Sequence, residues 1–463
     1  MAAPCCILLR RPRLVWLLCT IVSAVTLATA WQLLQQALSS GTIRYSMGGW
    51  AAPLGIEYRI DIVSAFVTLI VAGIATITLP YALHSVEKEI SEKNISFFYA
   101  LLMLCFAGLL GMTVTGDAFN LFVFLEISSL SMYSLIALGR DRRALTASFQ
   151  YLVMGTIGGT FVLIGVGFLY VITGTLNMAD LAQLLPDVSQ TRTLHTAFAF
   201  IVVGIGLKLA VFPLHLWLPN AYAYAPSTAT VFIAATATKV AVYALLRFIF
   251  SVFGSDMAYG DLPLGEILRV LAVLGILIAS TVAIFQENIK RMLAYSSVAQ
   301  IGYIVMGICL ASSLGLTSSI LHLFNHALMK GALFMAMGCF YYRLGSVQLD
   351  DLSGIARQMP WTFAAFVVAG LSLIGVPLTV GFISKWYLVS AALEQDGWLL
   401  AVLVLVGSLL AVIYIWRVVE TAWFGKPSAK AGDAREAPWP MLAATWLLVV
   451  ANLYFGANTN LTA

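Results

Sequence analysis

Thirteen stretches of nearly unbroken apolar sequence run along this chain, at about residues 14–34, 61–83, 95–115, 117–138, 150–173, 195–218, 227–251, 264–285, 291–312, 315–341, 361–391, 398–424 and 438–456. Nothing in hydrocarbon can hydrogen-bond a backbone amide or carbonyl, so a stretch that crosses lipid must close those bonds within itself. An α-helix does so in about 20 residues. The pattern therefore predicts an all-α polytopic membrane protein. Composition agrees: 10% of the residues are charged, where soluble domains carry about 25%.

Ahead of the first span lies MAAPCCILL. As a helix it reaches only about 13 Å and cannot cross, so it reads as the stump of a further span, left by a late start or a shortened chain. A competing reading takes RRPR, LVWLLCTIVSAVTL and Ala28-Thr29-Ala30 as a signal peptide with its cleavage site.

Basic residues set the orientation. Arg10, Arg11, Arg13, Lys88, Lys93, Arg140, Arg142, Arg143, Lys290, Arg291, Arg343, Arg357, Lys426, Lys430 and Arg435 fall on one side of the alternating spans. Only Arg44, Arg59, Arg192, Arg247 and Arg269 fall on the other. The richer side is expected in the cytoplasm and the C-terminus outside, with these residues serving as topology markers and nothing more. A net charge of +4 confined to short loops gives no reason to expect nucleic acid. The six cysteines form no CxxC pair, and no GxGxxG or P-loop is present, so no metal centre, iron–sulfur cluster, disulfide framework or nucleotide cofactor is expected.

The charges inside the spans are few. Arg417 has Glu420 one turn on, near a cytoplasmic end, and can pair or snorkel. Lys208, Lys239, Lys330 and Lys385 have no such exit, and of 21 acidic residues only Glu126 lies in mid-span. Glu126 sits in GDAFNLFVFLEISSLSMYSLIAL, nine residues after Asp117, hence roughly 13 Å deeper and near the bilayer midplane. Ionisable groups there are costly and point to function. Burial disfavours a charged lysine and a nearby carboxylate restores it, so a Glu126–Lys208 pair of variable separation would load and release a proton. A static ion pair that fixes helix packing is the alternative.

Two spans look interrupted. In GIGLKLAVFPLHLWLP, Pro213 follows Lys208 by five residues and cannot donate to the carbonyl of Leu209. In GLSLIGVPLTVGFISKWYL, Pro377 precedes Lys385 by eight, within a span of about 31 residues. Broken helices with lysine and proline in opposite order suit two inverted repeats about a midplane site; ordinary proline kinks are the alternative. Between them, in LHLFNHALMKGALF, His322, His326 and Lys330 stack four apart on one helix face. Histidine relays protons near neutrality, although histidines bonded to backbone carbonyls would look the same in sequence. The glycines of GTIGGT (155–160) read as close helix packing, and His84, His195 and His215, near span ends, take no role.

FNLFVFLEISSLSMY, GLKLAVFPLHLWLPNAYAYAPS, ATKVAVYALLR, LAYSSVAQIGY, HLFNHALMKGALF and GVPLTVGFISKW, in this order, resemble the antiporter-like proton-translocating subunits shared by respiratory complex I and Mrp-type cation/proton antiporters. The resemblance covers nearly everything from Met47 onward, and YSMGGWAAPLGIEYRIDIVSAF (45–66) is similar to the corresponding segment of the D-type Mrp antiporter chain. It implies a fold of fourteen helices, here thirteen plus the stump, with two inverted five-helix repeats. It divides the chain into N-terminal helices (1–94), two half-channel repeats (95–251 and 264–424) and a C-terminal helix (425–463). It implies that Glu126 and Lys208 are the pair of the first half-channel, Lys239 a connecting lysine, His322 and His326 the relay between halves, and Lys385 the exit residue. Lys330 is the least secure member. The chain is similar to the family without the first helix and the C-terminal extension, which bears on oligomer contacts more than on a proton path.

The expected role is a proton-translocating subunit, not an enzyme, of a multisubunit Na⁺/H⁺ antiporter. Its partners would be other membrane subunits, protons, sodium and lipid, and its place the bacterial cytoplasmic membrane. A complex I-type proton-pumping subunit and a non-conducting scaffold are the alternatives.

Overall fold

The structure, a computed structural model, describes residues 2–9 and 11–458. Arg10, counted above with the basic residues of one face, and the last residues of the chain, expected on the other, lie outside them. The short helix α1 (Ala2–Leu9) packs beside α2 (Pro12–Ser40) and against α4 (Ile95–Val114). Between α2 and α3 (Ile62–Glu89) a hairpin pairs β1 (Ile43–Ser46) with β2 (Glu57–Ile60), antiparallel, with Arg44 opposite Arg59. This is a small departure from the all-helical expectation, confined to a connecting loop.

The remaining helices follow in order: α5 (Ala118–Ala137), α6 (Arg143–Thr173), a short α7 (Met178–Leu184), α8 (Arg192–Leu209), α9 (Trp217–Tyr224), α10 (Ser227–Leu246), α11 (Leu264–Ile284), α12 (Ile289–Cys309), α13 (Ser313–Leu344), α14 (Pro360–Ile374), α15 (Val380–Leu393), α16 (Trp398–Phe424) and α17 (Trp439–Ala457). Among the described residues, twelve helices are long and apolar enough to cross a membrane. α14 and α15 are each too short and together make the thirteenth crossing, 361–391. Both interrupted spans are broken: the first between Leu209 and Trp217, the second between Ile374 and Val380.

Helix ends follow local sequence. Asp61 and Ser64 form a reciprocal capping box at α3, which satisfies two of its free backbone donors. Asp117 accepts from Asn120 N at 2.7 Å to open α5, and Asn288 accepts from Arg291 N at 3.0 Å to open α12. These two starts are twins. Ala118 N donates to Leu176 O and Met178 N to Gly116 O; Ile289 N donates to Val347 O and Leu349 N to Glu287 O. Each clasp ties the start of one helix to the segment after the next, just beyond a left-handed glycine, Gly174 (φ 73°) or Gly345 (φ 65°), a conformation that costs glycine nothing. Five crossings separate the clasps, so they lie on opposite membrane faces, as inverted repeats demand.

At the centre, α10, α12 and α13 are buried along almost their whole length, whereas in α2, α6, α11, α16 and α17 fewer than half the residues of the most apolar stretch are buried. The interior is thus built around the helices that carry Lys239, Lys330 and the two histidines. Lys290 departs from its expected place in a loop: it is the second residue of α12 and buried.

Candidate functional site

At the first break, Lys208 lies in the last turn of α8. Its Nζ donates to Glu126 Oε1 at 3.1 Å, Ser129 Oγ at 2.8 Å and Tyr133 Oη at 3.3 Å. These three partners, spaced three and four apart, form one face of α5. α6 closes over them with GTIGGT: a Cβ on Gly159 would lie 2.1 Å from Glu126 Oε1, and one on Gly155 2.0 Å from Tyr133 Oη. The glycines pack helices closely, as expected, and what they admit is the polar cluster. Tyr133 meets Tyr151 edge-on, Tyr151 stacks on Trp217 at 3.8 Å, and Trp217 Nε1 donates to Leu207 O at 2.9 Å. One carbonyl near the break thus keeps a partner.

At the second break, Lys385 of α15 reaches back to the end of α14. Its Nζ donates to Leu373 O at 3.1 Å, Ile374 O at 2.9 Å and Ser408 Oγ on α16 at 3.0 Å, and stands 4.7 Å from the centre of the Tyr303 ring. A helix C-terminus presents a partial negative charge, so a half-helix end can favour an ammonium without a carboxylate. The neighbouring Ser384 contacts His322 Nδ1 at 2.8 Å, and His322 Nε2 contacts Gln300 Oε1 at 2.9 Å. With Nε2–H donating to Gln300, Nδ1 accepts from the Ser384 hydroxyl, a complete set for a neutral ring.

Between the breaks, His326 lies nearly parallel to His322 with ring centres 6.1 Å apart, and neither of its nitrogens has a hydrogen-bond partner among the described residues. Lys330 Nζ donates to Leu293 O at 2.8 Å and Ser296 Oγ at 2.5 Å, both on α12. Lys239 donates to Ala234 O and Thr238 Oγ1 within α10. Among the described residues no hydrogen bond joins Lys208 to Lys239. Arg417 does not pair with Glu420: its guanidinium donates to Ile284 O, at the end of α11.

Sequence reasoning passed over Ser129, Tyr133, Gln300, Tyr303, Ser384 and Ser408. The spacing from Glu126 could have revealed the first two. Of the four mid-span lysines, Lys208 alone has a carboxylate within 4 Å among the described residues. The other three are held by carbonyl and hydroxyl oxygens, which accept an N–H from an ammonium or from a neutral amine alike. Their geometry therefore survives loss of the proton.

A family model described as the transmembrane region of NADH:quinone oxidoreductase and Mrp antiporter matches residues 115–411. The chain is 46% identical over 396 residues to a Desulforudis audaxviator protein named as the N-type subunit of NADH-quinone oxidoreductase, covering 85% of this chain and 78% of that one. It is 29% identical over 440 residues to a Bacillus subtilis protein named as the D-type subunit of an Na(+)/H(+) antiporter, covering 95% and 88%. Among solved structures, a chain of the archaeal membrane-bound sulfane sulfur reductase superposes with a TM-score of 0.91 at 31% identity, and one of the Mrp complex from Dietzia sp. DQ12-45-1b with 0.90 at 27%; each match covers 99% of this chain and 92% of the other. The chain is an integral membrane protein and belongs to the family of antiporter-like subunits shared by NADH:quinone oxidoreductases and Mrp antiporters.

Proposed function

We propose that this chain is a proton-conducting subunit of a multisubunit Na⁺/H⁺ antiporter of the Mrp kind. Protons pass along Glu126, Lys208, Lys239, His326, His322 and Lys385, with Lys330 beside the central step. The two half-channels are residues 95–251 and 264–424, each centred on a broken helix, and the face rich in arginine and lysine is cytoplasmic. One observation carries the reading: three buried lysines lie along the membrane interior on oxygens that hold them protonated or neutral, next to a lysine whose charge depends on Glu126. A scaffold would gain nothing from such groups, since buried charges stabilise poorly. The family supplies the partners, other membrane subunits, and the Bacillus subtilis antiporter relative supplies the exchange of sodium for protons.

Glu126→Gln in the assembled complex tests this. Antiport in membrane vesicles is expected to fall to background while the complex still assembles, and normal antiport would refute the reading. Lys385→Ala separates conductor from scaffold, because a conductor loses transport and a scaffold loses assembly. The 46% identity to a protein named as a subunit of an NADH-quinone oxidoreductase favours a second reading, in which the same path is driven by a redox partner. Proton pumping that requires NADH would establish it; sodium-dependent pH change without NADH would exclude it.

A further inference from the structure

Glu89 ends α3 and Lys290 opens α12, and both are buried, at 7% and 3% exposure. They meet at Ser227, the first residue of α10. Ser227 N donates to Glu89 Oε2 at 2.9 Å, and Lys290 Nζ donates to Ser227 Oγ at 3.0 Å, with Ser85 Oγ on Glu89 Oε1 at 2.9 Å. The two charges thus flank one serine and do not form an ion pair. Both line a cavity of about 160 Å³ on the face bearing the basic loops, with Arg140, Asp141 and Arg143 also in its wall. That space admits several water molecules. Arg143 hydrogen-bonds Asp141 and holds its carboxyl below the ordinary carboxylate range, so the mouth keeps a permanent anion.

The cavity leads inward along α12. Lys290, Leu293, Ser296, Gln300 and Tyr303 recur every three or four residues and so share one side of the helix. Leu293 O and Ser296 Oγ hold Lys330, Gln300 holds His322, and the Tyr303 ring underlies Lys385. Lys290 is only about 9 Å of helix rise from Ser296. The fold itself does not need a lysine there. In the twin clasp at α5 the residue two places after the cap is Phe119, which faces outward, and the clasp forms all the same.

We propose that Glu89 and Lys290 form a proton-loading site at the seam between the two halves, which feeds Lys330 along the polar side of α12 separately from the Glu126–Lys208 pair. Glu89 takes a proton from cavity water. Lys290 gives its own ammonium proton inward to neutral Lys330 through water and the hydroxyl of Ser296, and Glu89 restores it through the water of the cavity that both groups line. This assignment rests on the proton-conducting reading of the chain.

The test uses the whole complex in vesicles, with Lys385→Ala measured alongside. Glu89→Gln and Lys290→Met are expected to assemble normally and to lose at least tenfold in proton-coupled transport, while Glu89→Asp keeps most of it. Lys290→Cys should be equally slow and recover on treatment with an aminoethyl methanethiosulfonate, which puts an ammonium back at that position. Wild-type rates in Glu89→Gln and Lys290→Met, with Lys385→Ala inactive, would overturn the loading site and leave the general reading intact. Full transport in Lys385→Ala would instead overturn the general reading. Loss of assembly in both variants, or no recovery of Lys290→Cys, would make the pair a structural anchor and overturn the proposal.

Discussion

Gly159→Ala offers a way to change the distance between Glu126 and Lys208 without touching either. The new Cβ would stand 2.1 Å from Glu126 Oε1, and ordinary contact begins at 3.4 Å, so the carboxylate must retreat by about 1.3 Å. Taken along the line away from Lys208, this lengthens the present 3.1 Å separation to about 4.4 Å. At an effective dielectric of about 20 the attraction falls from ~5.4 to ~3.8 kcal/mol. The difference, about 1.6 kcal/mol, is at least tenfold in any equilibrium that depends on the charged pair. Alanine is a better helix former than glycine, so α6 itself is not weakened. Antiport at fixed pH in vesicles should therefore fall about tenfold with assembly intact. Gly167→Ala, on the same helix with nothing within 4 Å of its Cβ, is the control and should behave as wild type. In a Glu126→Gln background Gly159→Ala should add no further loss, since both changes act on one interaction. Equal rates for Gly159→Ala and Gly167→Ala would refute the view that the pair's separation governs loading.

Two further outcomes follow from the packing. Gly204→Ala brings a Cβ to 2.6 Å from Gly158 O and 2.8 Å from Val162 N, backbone atoms that cannot swing aside, so α6 and α8 must part at a cost of about 1–3 kcal/mol; a lowered Tm of the purified complex checks it, and an unchanged one would show that the helices have slack. Ser384→Ala removes the hydroxyl from His322 Nδ1 and leaves a buried nitrogen unpaired, which costs about 1–3 kcal/mol and should slow proton transfer several-fold while Lys385 keeps its own contacts, as single-turnover uptake would report.

Crossings and buried lysines were legible in the sequence because membranes penalise charge so heavily that each survivor stands out, and the breaks because Pro213 and Pro377 fall beside glycines and lysines in mid-span. The partners of those lysines were not. Ser129 and Tyr133 precede Lys208 by 79 and 75 positions, and Ser384 follows His322 by 62, so only the folded bundle brings them together. Lys290 misled for another reason: a lysine at the boundary of an apolar run has the same composition context whether its side chain lies in water or turns inward to Ser227. Gly155 and Gly159 signalled close packing, but a missing side chain cannot say which residue fills its place, and here they are Tyr133 and Glu126. Arg417 shows the limit of local pairing rules. Glu420 is one turn away, yet the carbonyl end of α11, distant in sequence, takes the guanidinium.

The twin clasps also allow the two halves to be compared position by position. Nine residues after the cap, α5 carries Glu126 and α12 carries Ser297; twelve residues after it they carry Ser129 and Gln300. The acid of the first half is thus a serine in the second, and the lysine of the second half draws on the carbonyl end of α14 in place of a carboxylate. A carboxylate contributes a full charge that moves with its side chain, whereas a helix end contributes about half a charge fixed by the backbone. The first lysine can therefore be tuned by a small shift of α5 against α8, and the second cannot unless the broken helix itself rearranges. Two identical halves related by inversion would offer a proton the same environment at either end, with no direction preferred. Replacing one carboxylate with a half-helix terminus breaks that equivalence at the least cost to the fold, because the helices, clasps and breaks stay as they were and only the counter-charge changes.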